Sequence, residues 1–472
     1  MRRLVFLFAV VAVLAWAGGA AGAGPTVTWC GTDATAADRP DAVAGLQWHV
    51  VYAYPADGLD RFGQLVSGIA TDLSAIDQWW RGQDPTRTPR FDLADVPGCA
   101  DAFGRLDVSH VQLPRAASVY APIEGTLTGL ASDLADAGLA DPDKKYLVYY
   151  DGPTSDPLRC GEANAGLPDR GGRDGYSVVF LGVCSAQLGT AGASATITAA
   201  HELIHGLDVL SRADASGVGP PHPCPGDAGH PCDTPTDVMY PTANGGDLIT
   251  GKALDAGRDD YYGHAGGWWD AQDSGWLIRL DSPDTAPPTG PARLTVTSAR
   301  ASNGLFATVS WPRARDASGV TYRLYLDGEL FDALGPGERK VSLAAVAGET
   351  HRYAVRAVDP GGLLGPRVEV RFRTGLGIVD DAGKLVRDTV PPPPVDLRAT
   401  TGPRGLTLRW KPVKDTGGPL KGYRVERNGR RFAVVTRTSI AIPAAKARGT
   451  WSVRAIDRAG NVGPVTRTFR VG

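Results

Sequence analysis

Methionine is nearly absent from this chain. Of its 472 residues only Met1 and Met239 are methionine, so an ordinary core-filling role leaves unexplained why position 239 alone keeps one. Histidine is sparse as well, eight in all, yet five of the eight fall between residues 201 and 264. Neither charge sign is in excess: 49 basic and 51 acidic residues leave a formal net charge of -2. That balance offers no electrostatic hold on nucleic acid or an anionic membrane. The six cysteines include no CxxC pair, which argues against a thiolate zinc site. Beyond the first two dozen residues no run is apolar enough to cross a bilayer.

What is present is ordinary globular material, 43% hydrophobic and 21% charged, with 60 Gly and 36 Pro that predict many long loops. The length predicts about two to four domains. The opening stretch reads as a signal peptide over residues 1–23. Arg2 and Arg3 form a basic start, Leu4 to Trp16 an apolar core, and Ala21-Gly22-Ala23 a small-residue cleavage site. The other reading, an uncleaved membrane anchor, meets an apolar run that is short for a span. The mature chain is therefore expected to be secreted, extracellular and monomeric. Outside the cytoplasm an even cysteine count reads as disulfides. Cys160 with Cys184 and Cys224 with Cys232 are the expected pairs, leaving Cys30 with Cys99, although other connectivities stay open.

From Gly24 to Pro283 strand and helix patterns alternate. Residues 47–55, 144–151 and 176–183 read as strands rich in aromatic and β-branched residues. Phe62, Leu65, Ile69, Leu73 and Ile76 recur at helical spacing within 60–80. Further helices are predicted over Ile123–Ala137 and, starting near Ser194 or Thr196, over "SATITAAHELIHGLDVL", residues 194–210. This order predicts a layered α+β or α/β domain.

At residue 284 the texture changes to Pro-rich turns and short alternating strands, and it does so again at residue 388. The two stretches are related. Residues 309–328 match 408–429, and "HRYAVRAVDPGGLLGP" matches "GTWSVRAIDRAGNVGP". Asp359 and Asp457 thus lie one β-sandwich apart, about 100 residues. These copies resemble fibronectin type III domains, with Trp311 and Trp410 as core tryptophans, over 284–375 and 388–472, with 376–387 as a linker. Trp451 stands where the first copy has Tyr353, which predicts a weakened tyrosine-corner hydrogen bond in the second. The aromatics are expected to fill cores rather than to form a sugar platform.

The chemistry lies in "TAAHELIHGLDVL", residues 198–210. Residues four apart share a helix face, so His201 and His205 can aim two imidazole nitrogens at one ion, at about 2.0–2.1 Å for zinc. Glu202 beside them can take a proton from a zinc-activated water attacking a peptide carbonyl. A third protein ligand is needed. In the commonest longer form of the motif a histidine sits six residues past the second, where this chain has Ser211.

With "TDVMYP" at 236–241 following the helix, the segment resembles the metzincin zinc peptidases, in which a methionine-bearing turn passes beneath the metal. The resemblance implies an α+β catalytic domain over 24–283, a zinc cofactor and a peptide or protein substrate. Asp208 replaces the glycine that ends the helix in that clan, a left-handed position that Asp tolerates. The loop "SGVGPPHPCPGDAGHPCDTPTDVMY" also resembles that of a group of secreted bacterial metzincin-like proteins carrying Ala-Pro-His, His-Cys and Asp-x-Met in turn, with "PPH" here matching the first element. On that likeness His222 is the expected third ligand, with His230 and Asp208 the alternatives. Tyr261 or Tyr262 is a candidate oxyanion donor. Asp255, Asp259 and Asp260 are candidate calcium ligands, although a polar, Trp-rich packing surface accounts for the same residues. The expected function is that of a secreted zinc endopeptidase with Glu202 as general base. The competing expectation is a non-catalytic extracellular binding or adhesion protein with a degenerate peptidase-like domain. A zinc hydrolase acting on another bond is a third.

Overall fold

A computed structural model of the chain describes residues 37–472 apart from 42–43, 95–104, 123–124, 165–169, 185–187, 191, 208–218, 243–246, 283, 302–303, 347, 375–376, 380–384, 388–390, 404, 416–419, 458–460 and 466. The predicted signal peptide, Cys30, Cys99 and Asp208 lie outside the described residues. The chain divides into two compact units, ending and beginning at Pro283 and Asp284. The whole is multidomain and mostly β, with several antiparallel sheets.

The first unit is built on five strands: β1 (Gln47–Tyr54), β2 (Val108–Gln112), β3 (Lys144–Tyr150), β4 (Gly161–Ala163) and β5 (Tyr176–Phe180). Their order across the sheet is β2-β1-β3-β5-β4. The first four run parallel, with Val50 opposite both Val108 and Leu147, and Tyr146 opposite Tyr176. β4 alone is antiparallel and occupies the edge, Gly161 opposite Val179. Parallel strands need crossovers and cover on both faces. Accordingly β3 is buried along its whole length and β1 at all but its last residue. The sheet is thus mixed, four parallel strands with one antiparallel edge strand, in the layered strand-and-helix order expected from the sequence.

Helix α1 (Phe62–Gln83) buries Phe62, Val66, Ile69, Leu73, Ile76 and Trp80 on one face. Leu65 is only half-buried and Val66 takes the expected inward place. Helix α2 (Thr126–Asp136), shorter than expected, buries Leu127, Leu130 and Leu134 in one core with Val51, Val148 and Val178 of the sheet. Helix α3 (Ser194–His205) joins α1 through Thr196, whose hydroxyl donates to Asp72 at 2.9 Å. At the end of α3 a Cβ on Gly206 would collide with the Trp48 indole of β1, so this helix-to-sheet approach requires glycine.

Within the core, His49 donates from Nδ1 to Asp92 at 2.7 Å, and its Nε2 lies 2.9 Å from the Ser109 hydroxyl. These are the residue types of a nucleophilic triad, but all three are 0% exposed. No substrate reaches Ser109, and the line serves as a buried polar tie closed by Lys144 on Asp92 at 2.6 Å.

The second unit repeats one plan. A three-stranded sheet (Thr295–Ala301, Gly304–Ser310, Lys340–Ala344) accompanies a four-stranded one, Glu329–Leu334 beside Thr321–Leu326, Thr350–Val358 and Val368–Arg373. The same orders recur from Leu397 to Val471. Trp311 meets Tyr322 edge-on at 5.6 Å in one core, and Trp410 meets Tyr423 at 5.3 Å in the other. Both tryptophans are buried, as core residues should be. Trp451 also finds a partner: its indole N–H donates to the Ala447 carbonyl at 2.7 Å. Within the 376–387 segment Gly377–Val379 pairs with Leu385–Arg387.

Candidate metal centre

Helix α3 is apolar and buried from Ser194 to Ala200, and His201 and His205 stand in its last two turns. Their Nε2 atoms are 3.1 Å apart. A third imidazole joins them from a short hairpin, β6 (Pro223–Cys224) and β7 (Asp227–Pro231), closed by the Cys224–Cys232 disulfide. It is that of His230, whose Nε2 lies 3.0 Å from that of His201 and 3.1 Å from that of His205.

The Nδ1 atoms explain why the three Nε2 atoms face one another. His201 Nδ1 donates to the Val238 carbonyl at 2.9 Å, and His230 Nδ1 donates to Asp227 at 2.8 Å. A neutral ring protonated on Nδ1 carries a lone pair on Nε2. Burial drives His201 down to about 4 and His205 well below its ordinary value, so both are neutral near pH 7. The Nε2 lone pairs of His201 and His230 therefore converge and repel unless a cation or a donated hydrogen sits among them. Ligands at about 2.0–2.1 Å from a tetrahedral zinc lie about 3.3 Å from each other, close to the observed spacing. The donor set therefore fits zinc, with acceptors behind two rings as metal-bound histidines require.

His222, the expected third ligand, is not in this group. Its backbone N–H and its Nδ1 both turn to Asp260, at 3.1 and 3.3 Å, while its carbonyl accepts the Cys232 N–H at 2.9 Å. The disulfide-closed hairpin thus directs one histidine inward and leaves the other against an acidic loop. Asp227, three residues before His230, holds that ring in place.

Glu202 is buried between α3 and the edge strand β4. A Cβ on Gly161 would overlap its carboxylate, and Ser177 of β5 donates to its backbone carbonyl at 2.8 Å. Burial, with Glu162 adding to it, pushes the Glu202 carboxyl well above the usual range. A cation held by the histidines acts in the opposite direction.

The methionine-bearing turn reaches the site through the Val238 carbonyl. Asp237 organises it, accepting the Met239 N–H at 2.7 Å, the Tyr261 hydroxyl at 2.8 Å and the Ala256 N–H at 3.0 Å. Met239 is fully buried. Tyr261 and Tyr262 do not serve as oxyanion donors: both are buried, and their hydroxyls donate to Asp237 and Asp84. The calcium set dissolves too. The Asp255 carboxylate accepts the backbone N–H groups of Asp259, Asp260, Tyr261 and Tyr262, at 2.7 to 3.2 Å. That leaves it a loop organiser, while Asp259 and Asp260 face His222 instead.

No family model matches the chain, and no curated protein matches it. Among solved structures, the central fibronectin-III array of RIM-binding protein is 15% identical, covering 40% of this chain and 98% of its own at a TM-score of 0.16. The fibronectin(III)-like modules of Clostridium thermocellum CbhA are 16% identical, covering 17% and 96% at 0.15. OgpA from Akkermansia muciniphila is 14% identical, covering 74% and 98% at 0.30.

Proposed function

We propose that the first unit is a secreted, metzincin-like zinc endopeptidase whose ligands are His201, His205 and His230 and whose general base is Glu202. The observation that carries it is the convergence of three histidine Nε2 atoms, 3.0 to 3.1 Å apart, two of them from the helix that also carries the buried Glu202. A purely structural zinc site has no need of such a base. A zinc ion held there supplies Lewis-acid polarisation and lowers the pKa of water at the site. Glu202 accepts the proton of the attacking water and passes it to the departing amine nitrogen. Asp227 and the Val238 carbonyl hold two imidazoles in the tautomer that leaves Nε2 free. The outer edge of β4 pairs with no strand among the described residues. An extended peptide can add to such an edge by main-chain hydrogen bonds, which favours peptide over other acyl substrates.

Export fits the two disulfides among the described residues, Cys160–Cys184 and Cys224–Cys232. No described helix is long and apolar enough to cross a membrane. The second reading, a binding protein without catalysis, has the tandem sandwiches in its favour, but it gives Glu202 no task. Casein hydrolysis by the Glu202→Gln variant decides between them. Loss of about 10²- to 10⁴-fold with zinc retained supports the peptidase, and unchanged hydrolysis rejects it.

A further inference from the structure

We propose that His222, Asp259 and Asp260 form a second divalent-cation site, suited to a borderline ion such as Zn²⁺, that staples the His230 hairpin to the loop behind the Met239 turn. Each residue offers one ligand atom, and the three lie within 4.8 Å of one another. His222 Nδ1 is 3.3 Å from Asp260 Oδ2 and 3.8 Å from Asp259 Oδ2. These values bracket the separation of about 3.3–3.5 Å expected between ligands held at about 2.0–2.2 Å around a tetrahedral ion. One imidazole nitrogen with two carboxylate oxygens selects a zinc-like ion, since calcium prefers an all-oxygen shell.

Local charge argues the same way. Asp233, Asp259 and Asp260 all act on His222, and Asp255 acts on Asp260. Even a protonated His222 leaves these carboxylates in excess. Arg258, the cation adjacent in sequence, is turned elsewhere, donating to the Gln83 carbonyl at 2.8 Å and lying 5.1 Å over the Tyr262 ring. Asp260 is almost fully buried, with 1% of its side chain exposed, while the His222 side chain bonded to it is 40% exposed. Asp259 Oδ1 is shielded from solvent and has no hydrogen-bond partner, although the side chain as a whole is 48% exposed. The cluster thus pairs a buried anchor with a solvent-facing entrance. A cation there would fix residue 222, whose carbonyl accepts the Cys232 N–H beside the disulfide. It would fix at the same time the loop whose Tyr261 supports Asp237. The site stands whether or not the three-histidine centre catalyses.

The test is Zn²⁺ binding to the metal-stripped full chain, read as equivalents retained after gel filtration and as the shift in thermal midpoint. Wild type should hold two equivalents. His222→Ala and the solvent-facing Asp259→Asn should each hold one and keep zinc-dependent casein hydrolysis. His230→Ala should also hold one, and Zn²⁺ should still raise its thermal midpoint, while His230→Ala/Asp259→Asn should show no shift. A single wild-type equivalent that survives His222→Ala and Asp259→Asn overturns the second site. A single equivalent lost in Asp259→Asn but kept in His230→Ala would instead support this site and reject the three-histidine centre.

Discussion

The Nε2 atoms of His201 and His230 stand 3.0 Å apart, although the residues are separated by 29 positions and belong to a helix and a hairpin. Each ring is held from behind, one by the Val238 carbonyl and the other by Asp227. Removing the second support should weaken the site without deleting a ligand. Asp227→Ala is expected to lower zinc affinity by about 10- to 100-fold, measured by competition with a chromophoric chelator. Full wild-type affinity would contradict this role.

Glu202 depends on the glycine opposite it. Gly161→Ala places a methyl group where the carboxylate now lies and so displaces the base while leaving all three histidines. kcat/KM should fall by about 10- to 100-fold with zinc content unchanged. Loss of zinc in this variant would show that β4 supports the metal rather than the base.

The hairpin should matter through its disulfide. Replacing Cys224 and Cys232 by serine frees the segment that carries His230, at a cost of about 2–3 kcal/mol for so short a loop. Zinc affinity should drop, and excess Zn²⁺ should restore hydrolysis. An unaltered affinity would mean that the hairpin holds its shape without the bridge.

Asp72 predicts a pH dependence of stability. It is fully buried on α1 with Thr196 as a partner, and burial raises it to about 7, against about 3.9 in an unfolded chain. The folded state therefore binds its proton more tightly. That contribution is fully present below about pH 4 and is lost as pH rises through about 7. Asp72→Asn, neutral and similar in shape, should be more stable than wild type at pH 8 by about 1–3 kcal/mol, with the gain vanishing near pH 4. Urea unfolding at the two pH values reads this directly. A variant less stable at pH 8 would show the ionised carboxylate to be compensated.

The periodic features were legible in the sequence: α1, three of the five strands of the first sheet, the His201–Glu202–His205 face and the repeated sandwiches, whereas the short strands Val108–Gln112 and Gly161–Ala163 were not. Each rests on local spacing that the fold does not override. The choice between His222 and His230 was not legible, because both precede a Pro-Cys pair. What separates them is long-range: Asp260 captures His222, and the inward strand of the hairpin presents His230. Tyr261, Tyr262 and Asp255 read as site residues for a similar reason. Their composition suits a site, yet their polar atoms are spent on Asp237, Asp84 and the backbone of their own loop.

The most direct test compares zinc-dependent casein hydrolysis by His230→Ala and His222→Ala at saturating Zn²⁺. Hydrolysis by His230→Ala should fall at least about 100-fold, because the ion loses a ligand, and His222→Ala should stay within about fivefold of wild type. An active His230→Ala beside an inactive His222→Ala would contradict the assignment of the three-histidine centre.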